Sequence, residues 1–310
     1  MPLPWPGFSQ LSNQLGEEVQ QSLTPLLDQF SNATAALMTQ AGLPLHASPL
    51  WRPWNMFAVK DSEKLIAVFT TLSGGVARVN WIDRSTEKLS PEAVAFSIAN
   101  ELGTPIAALI TLPLPGSPIL QPGITTAAMK HFSEVERANR LGRLGDLTGL
   151  SHLEPHLRKF LDEHPDPGRN VFVMMRFMST PQMKEIYSAI KDSCSTYGFH
   201  AVRADDRDYT GELWSNIEVY MTCCQYGVAV FEDIDKRDFN PNVSLELGYM
   251  MGRRKRTLIL KEERLPDLPA DVIHRLYKPF NMFSISESVS REVGRWVEVD
   301  LGFPRLSTTS

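Results

Sequence analysis

The chain has 310 residues, more than one ordinary domain holds, so two compact units with separate cores are expected. Hydrophobic residues make up 43% of the chain and charged residues 22%, which excludes a disordered or fibrous protein. The 31 basic and 36 acidic residues give a net charge of -5 without a long run of either sign, so direct binding of DNA or RNA is not predicted.

Three further features predict a cytoplasmic protein that does not associate with membranes. The three cysteines have neither the spacing of a metal site nor that of a redox pair, which fits a reducing compartment. Residues 1–8 lack the basic and apolar regions of a signal peptide. No apolar run approaches the length of a membrane span.

The first half of the chain mixes helical and strand-like patterns, which predicts an α+β domain over residues 1–163. Apolar residues recur every three or four positions between residues 10 and 40, the spacing of an amphipathic helix. A second helix begins at Ser90-Pro91, and strand-like runs lie at 56–60, 65–71, 76–82 and 106–112. Residues 113–123 hold four prolines and two glycines and are predicted to form a loop.

The segment His164-Pro165-Asp166-Pro167-Gly168 is the clearest linker, because neither a helix nor a strand runs through it. Beyond it, continuous apolar strands alternate with helices from Val171–Met175 to a closing helix at Ser286–Leu301. This alternation predicts a flavodoxin-like α/β domain over residues 169–303, with a parallel five-stranded sheet covered by helices on both faces. Residues 304–310 are predicted to be a tail.

Polar side chains follow three strands of this predicted sheet. Arg176 follows the first strand, Arg203 and Asp205 follow the second, and Glu232 and Asp233 follow the third. Parallel sheets bind ligands beyond the carboxyl ends of their strands, so these groups are expected to meet at one edge.

The helix after the third strand carries the strongest candidate, Glu246. Asn240-Pro241 is a good helix start, which places Glu246 about one turn inside the helix on a face shared with Asn242 and Tyr249. The helix dipole favours an ionised carboxylate there, and such a group can act as a nucleophile or stabilise an oxocarbenium-like centre. The structural alternative is a glutamate that only complements the dipole or pairs with one of the nearby arginines.

Other candidates are weaker. Asp205, Asp206 and Asp208 can bind a divalent metal, but such acids before a helix more often form a solvated capping cluster, so no metal site is assigned. His274 has no serine or cysteine partner in the pattern, which argues against a nucleophilic triad. No glycine-rich phosphate loop follows any strand.

Several blocks of the second half together resemble the TIR-like predicted nucleotide-binding proteins, which are related to the nucleoside 2-deoxyribosyltransferase-like superfamily. The resemblance covers residues 169–302, and its most specific part is the pattern Asn-Pro-Asn-Val-x-x-Glu-x-Gly. The blocks are Phe172-Val173-Met174-Met175-Arg176-Phe177, Arg203-Ala204-Asp205, Trp214-x-Asn216-Ile217, Val228-Ala229-Val230-Phe231-Glu232 and Asn240-Pro241-Asn242-Val243-x-Leu245-Glu246-Leu247-Gly248-Tyr249.

The resemblance implies a site that takes NAD or another nucleotide as substrate, without a separate cofactor, and cleaves or transfers at the ribosyl carbon. Glu246 is then the catalytic carboxylate, and Glu232 competes with Asp233 for the role of acid at the strand end. The implied nucleotide-binding residues are Arg176 for phosphate, Asn242 for a ribose or phosphate oxygen, Asp205 and Glu232 for ribose hydroxyls, and in addition Phe177, Arg203 and Tyr249.

Proteins of this kind often serve as bacterial anti-phage effectors that deplete NAD. We therefore expect an N-glycosidase of the NAD+ glycohydrolase type that acts as a regulated toxin. Residues 1–163 are expected to sense a signal, bind an activating protein or drive self-association. Two alternatives stay open: a non-catalytic nucleotide sensor, and base exchange of the nucleoside 2-deoxyribosyltransferase kind.

Overall fold

The computed structural model describes residues 16–52, 54–71, 78–234, 240–265 and 277–306. The chain divides into two compact units, one containing the described residues up to Asn139 and the other those from Arg140 onward. Within the described ranges, no helix combines the length and the hydropathy that crossing a bilayer requires.

The first unit is built on a mixed four-stranded sheet. Its strands are β1 (Trp54–Lys60), β2 (Lys64–Thr71), β3 (Val79–Asp83) and β4 (Ile106–Pro113), in the order β3-β1-β2-β4. β2 runs antiparallel to both β1 and β4, whereas β3 runs parallel to β1. The helices are α1 (Glu17–Gln40), α2 (Pro91–Leu102) and α3 (Leu120–Gly142).

The helices of the first unit pack on different sides of this sheet. α1, through Leu27 and Phe30, and α3, through Ile124, share a core with one set of strand side chains. α2 covers the other set through Ala95 and Ile98. The predicted loop over 113–123 is shorter than expected, because α3 already begins at Leu120 and a proline is tolerated in the first turn of a helix. Ser73-Gly74-Gly75 predicts a turn between the second and third of the strand-like runs, and this segment lies outside the described residues.

The second unit is built on a five-stranded sheet in which every neighbouring pair is parallel. Its strands are β5 (Asn170–Met174), β6 (His200–Val202), β7 (Tyr226–Phe231), β8 (Arg256–Glu262) and β9 (Lys278–Phe280), in the order β6-β5-β7-β8-β9. Counted from the first strand of the unit, this order is 2-1-3-4-5, that of flavodoxin-like sheets. The predicted α/β class is confirmed.

Helices cover both faces of the parallel sheet. They are α4 (Glu154–Glu163), α5 (Pro181–Ser195), α6 (Leu213–Cys223), α7 (Pro241–Gly252) and α8 (Ile285–Arg295). α4, α6 and α7 share one core, and α5 and α8 share the core on the opposite face. The strands are buried on both sides, which explains why their sequences are continuous apolar runs. The sequence pattern also predicts a helix over 268–276, which contains His274, and this segment lies outside the described residues.

α4 belongs to the second unit, although a boundary at 164–168 assigns it to the first. Leu157 and Phe160 of α4 are buried in the core that also contains Val219 and Tyr220 of α6. The segment 164–168 is itself tied to this unit, because Pro167 accepts a backbone hydrogen bond from Gln225 at 3.1 Å. Its prolines and glycine therefore separate a helix from a strand rather than one compact unit from the other.

Candidate active site

A cleft of about 470 Å³ lies where the strand order reverses, beyond the carboxyl ends of β5 and β7. Doubly wound sheets bind ligands at this switch point, and ligand pockets commonly measure roughly 300–1,000 Å³. Its walls come from the segment after β5, the start of α6 and the first half of α7. The lining residues are Met175, Arg176, Phe177, Glu212, Leu213, Trp214, Ile217, Asn240, Asn242, Val243, Leu245 and Glu246.

The start of α7 fixes the position of the main candidate. The Asn240 side chain accepts a hydrogen bond from the Asn242 backbone amide at 3.0 Å, and Pro241 occupies the first helical position. The helix start predicted from this dipeptide is therefore present. Buried Val243 and Leu247 anchor the same helix to the sheet, which leaves Glu246 at the cleft.

Glu246 is a buried carboxylate at the wall of the cleft. The residue is only 7% exposed, and within the described part of the chain it has neither a hydrogen-bond partner nor an ion-pair partner. Burial raises the pKa of Glu246 from an ordinary 4.5 to about 7. The helix position alone predicted the ionised form, whereas burial favours the neutral form, so near neutral pH the group is present in both protonation states.

Arg176 and Glu232 form an ion pair beside the cleft. The Arg176 Nε donates to the Glu232 Oε1 at 2.9 Å, and Glu232 is only 2% exposed. The second oxygen of Glu232 accepts the backbone amide of Ile234 at 2.7 Å. Asp233 instead pairs with Arg264 at 3.5 Å. Neither acid lines the cleft, and Glu232 is the one that contacts a lining residue.

Three residues predicted to bind nucleotide, Arg203, Asp205 and Tyr249, do not line the cleft. Arg203 pairs with Asp205, with its Nε donating to Oδ1 at 2.8 Å, and its guanidinium lies 5.0 Å from the ring centre of Tyr187. Tyr249 donates its hydroxyl hydrogen to Glu218 at 3.0 Å. These side chains thus contact other protein groups instead of the cleft space.

The sequence reasoning missed the contribution of the start of α6. Glu212, not the aspartates upstream, caps this helix by accepting the backbone amides of Trp214 at 3.2 Å and Ser215 at 2.8 Å. Hydrogen bonds from the Ser215 hydroxyl and amide lower the pKa of Glu212, so a negative charge is fixed at the mouth of the cleft. The block Trp214-x-Asn216, which lies in this helix, was the signal in the sequence that could have identified it.

Asn216 in that block has a structural role. Its side chain is buried, accepts the amide of Tyr209 at 2.7 Å and donates to the carbonyl of Ala204 at 2.9 Å. It thereby holds the loop between β6 and α6. In the same loop Asp206 accepts the hydroxyl of Tyr187 at 2.7 Å. Among the residues with described positions, no group of three or more histidine, cysteine or acidic side chains is arranged to hold a metal ion.

The arrangement suits chemistry in which positive charge develops on a bound ligand. A carboxylate in a partly water-excluded cleft interacts more strongly with such charge than it would in bulk water. Arg176 and the amide side chains of Asn240 and Asn242 supply hydrogen-bond donors along the walls of the cleft. Comparison of the chain with protein-family models, with curated proteins and with solved structures found no match.

Proposed function

We propose that the second unit is an N-glycosidase of the NAD+ glycohydrolase type, acting on NAD or another nucleotide with Glu246 as its catalytic carboxylate. The observation that carries this proposal is the burial of Glu246 at the switch-point cleft without a partner among the described residues. A buried ionisable group of this kind costs stability, and such groups concentrate at functional sites.

In the proposed reaction the bond between the ribosyl carbon and the base nitrogen breaks, and its electron pair leaves with the base. The ribosyl carbon then carries oxocarbenium-like positive charge, which the ionised form of Glu246 stabilises until a water oxygen bonds to this carbon and the water loses one proton to the solvent. A nicotinamide leaving group departs neutral and needs no proton. A positively charged nicotinamide ring also favours ionisation of the neighbouring carboxyl group.

The remaining lining residues orient the substrate in this proposal. Arg176, held by Glu232, meets a phosphate of the nucleotide, because a guanidinium matches the geometry of phosphate oxygens. Asn240 and Asn242 contact ribose hydroxyls. The first unit holds this activity at a low but measurable basal level until its signal is present, since loss of NAD at the full rate would kill the host, and the resemblance to anti-phage effectors supports this cellular role.

The test compares the purified full chain with Glu246→Gln and with Glu287→Gln, which changes an exposed glutamate in the first turn of α8. Each protein is incubated with NAD, nucleotides and nucleosides, and free nicotinamide or base is measured by mass spectrometry. The same metabolites are measured in cells that express each form. We expect release by wild type and Glu287→Gln, and a fall of roughly 100-fold or more for Glu246→Gln.

Each other outcome has a defined meaning. Equal release by wild type and Glu246→Gln, or intact NAD and nucleosides both in vitro and in cells, contradicts the proposal. Tight nucleotide binding measured by calorimetry without turnover indicates the sensor. Transfer of the sugar to an added acceptor base indicates base exchange.

A further inference from the structure

Two aromatic side chains of the cleft are exposed. Phe177, directly after β5, is 49% exposed, and Trp214, in the first turn of α6, is 37% exposed. Both line the same cleft as Glu246. Large apolar side chains grouped on an open surface commonly mark a binding site, because leaving them in water is unfavourable.

Phe177 is backed by a network of charged and polar groups. The Arg203 guanidinium lies 5.9 Å from the centre of the Phe177 ring and 5.0 Å from that of Tyr187. Asp205 holds this guanidinium, and Asp206 accepts both the Arg203 backbone amide at 2.8 Å and the Tyr187 hydroxyl at 2.7 Å. A planar cation fixed in this way restricts the position of the ring it contacts.

Trp214 is backed in a similar way from α7. The Tyr249 ring meets the indole edge to face, with 6.3 Å between ring centres. The Tyr249 hydroxyl donates to Glu218 at 3.0 Å, which fixes the orientation of the tyrosine. Phe177 and Trp214 both line the cleft, and each contacts a residue that does not line it: Arg203 for Phe177 and Tyr249 for Trp214.

We infer that Phe177 and Trp214 stack on the planar base of the substrate, and that Arg203 and Tyr249 are positioning residues for these two rings. This inference rests on the proposed function and adds to it the part of the site that holds the base. Stacking is open to every nucleobase and to nicotinamide, because each has a flat π-face. The cleft therefore requires a planar base and selects weakly among bases.

The experiment measures binding in the full-length Glu246→Gln protein, so that turnover does not interfere. The probes are AMP, CMP, nicotinamide mononucleotide and, as a ligand without a base, ribose 5-phosphate, each studied by calorimetry. Phe177→Leu, Trp214→Leu, Arg203→Lys and Tyr249→Leu are added one at a time. The matched control is Phe283→Leu, an exposed phenylalanine that also contacts an arginine, Arg264, but does not line the cleft.

We expect Phe177→Leu and Trp214→Leu each to weaken binding of the three base-containing probes by about tenfold, and the two positioning variants to weaken it by about threefold. Ribose 5-phosphate binding should be unchanged in all four, and Phe283→Leu should resemble the parent protein. The inference is overturned if no base-containing probe binds the parent, if the Phe177 and Trp214 variants bind those probes like the parent, or if ribose 5-phosphate binding falls equally. Turnover is measured separately in the wild type. If the Phe177 and Trp214 variants bind the base-containing probes more weakly but the wild type shows no turnover, only the proposed function is refuted. If the wild type turns over substrate but these variants bind like the parent, only the stacking is refuted.

Discussion

Replacing Glu246 by glutamine is expected to change how the stability of the second unit depends on pH. Burial raises the pKa of Glu246 from 4.5 to about 7, a difference worth about 3 kcal/mol at about 1.4 kcal/mol per pKa unit. From about pH 4.5 to about pH 7 the folded state keeps a proton that the unfolded chain has released. The contribution of Glu246 to the free energy of unfolding therefore falls as pH rises through this window and levels off above it. Glutamine has nearly the same shape but no proton to release.

The quantity to measure is the difference in unfolding free energy between wild type and Glu246→Gln, obtained by urea denaturation at several pH values between about 4.5 and 8. Taking the difference cancels the titration of all other groups, and any fixed cost of the new amide is a constant offset. The variant should gain about 3 kcal/mol relative to wild type across the window. Exposed Glu287→Gln, treated in the same way, should show a flat difference. A flat difference for Glu246→Gln as well would show that this carboxyl group is solvated, and the reasoning from burial would fail.

Three further outcomes are expected. The value of kcat/KM for release of nicotinamide should rise with pH through about 7 and then level off, because the ionised form of Glu246 stabilises the transition state; a profile that falls through this range contradicts that role. Glu232→Gln should lower the unfolding free energy by about 3 kcal/mol, because it removes a buried negative charge that pairs with Arg176. A loss below about 1 kcal/mol in urea denaturation would show that this ion pair is solvated. Lys255→Met should lower the free energy of unfolding by about 3 kcal/mol in the same assay. The reason is that the Lys255 Nζ donates to three backbone carbonyls at the end of α6, at 2.6, 2.7 and 2.7 Å. An unchanged free energy of unfolding would show that water replaces those hydrogen bonds.

The fold of the second unit followed from the sequence because its main signals are local. Continuous apolar strands between helices occur only where both faces of a sheet are covered, and Asn240-Pro241 defines a helix start without reference to the rest of the chain. Together these signals placed Arg176, Asn242 and Glu246 at one edge, and all three line the cleft. Phe177, which the resemblance implied, lines it as well.

The direction of individual side chains could not be predicted in the same way. Arg203 and Asp205 follow a strand end, as expected, but they pair with each other, and nothing in the spacing distinguishes a residue that contacts its neighbour from one that faces a ligand. Tyr249 shares a helix with Glu246 yet turns toward Glu218. The protonation state of Glu246 also depends on burial by side chains distant in sequence, which periodicity does not report.

The place of α4 determines which piece of the gene can be expressed or fused alone. A fragment begun at Asn170 would remove Leu157, Phe160 and Leu161, and would leave the surface of α6 that they cover open to water and prone to association. α6 also carries Trp214, which lines the cleft. Truncations and domain swaps that aim to keep the cleft intact should therefore start at Arg140.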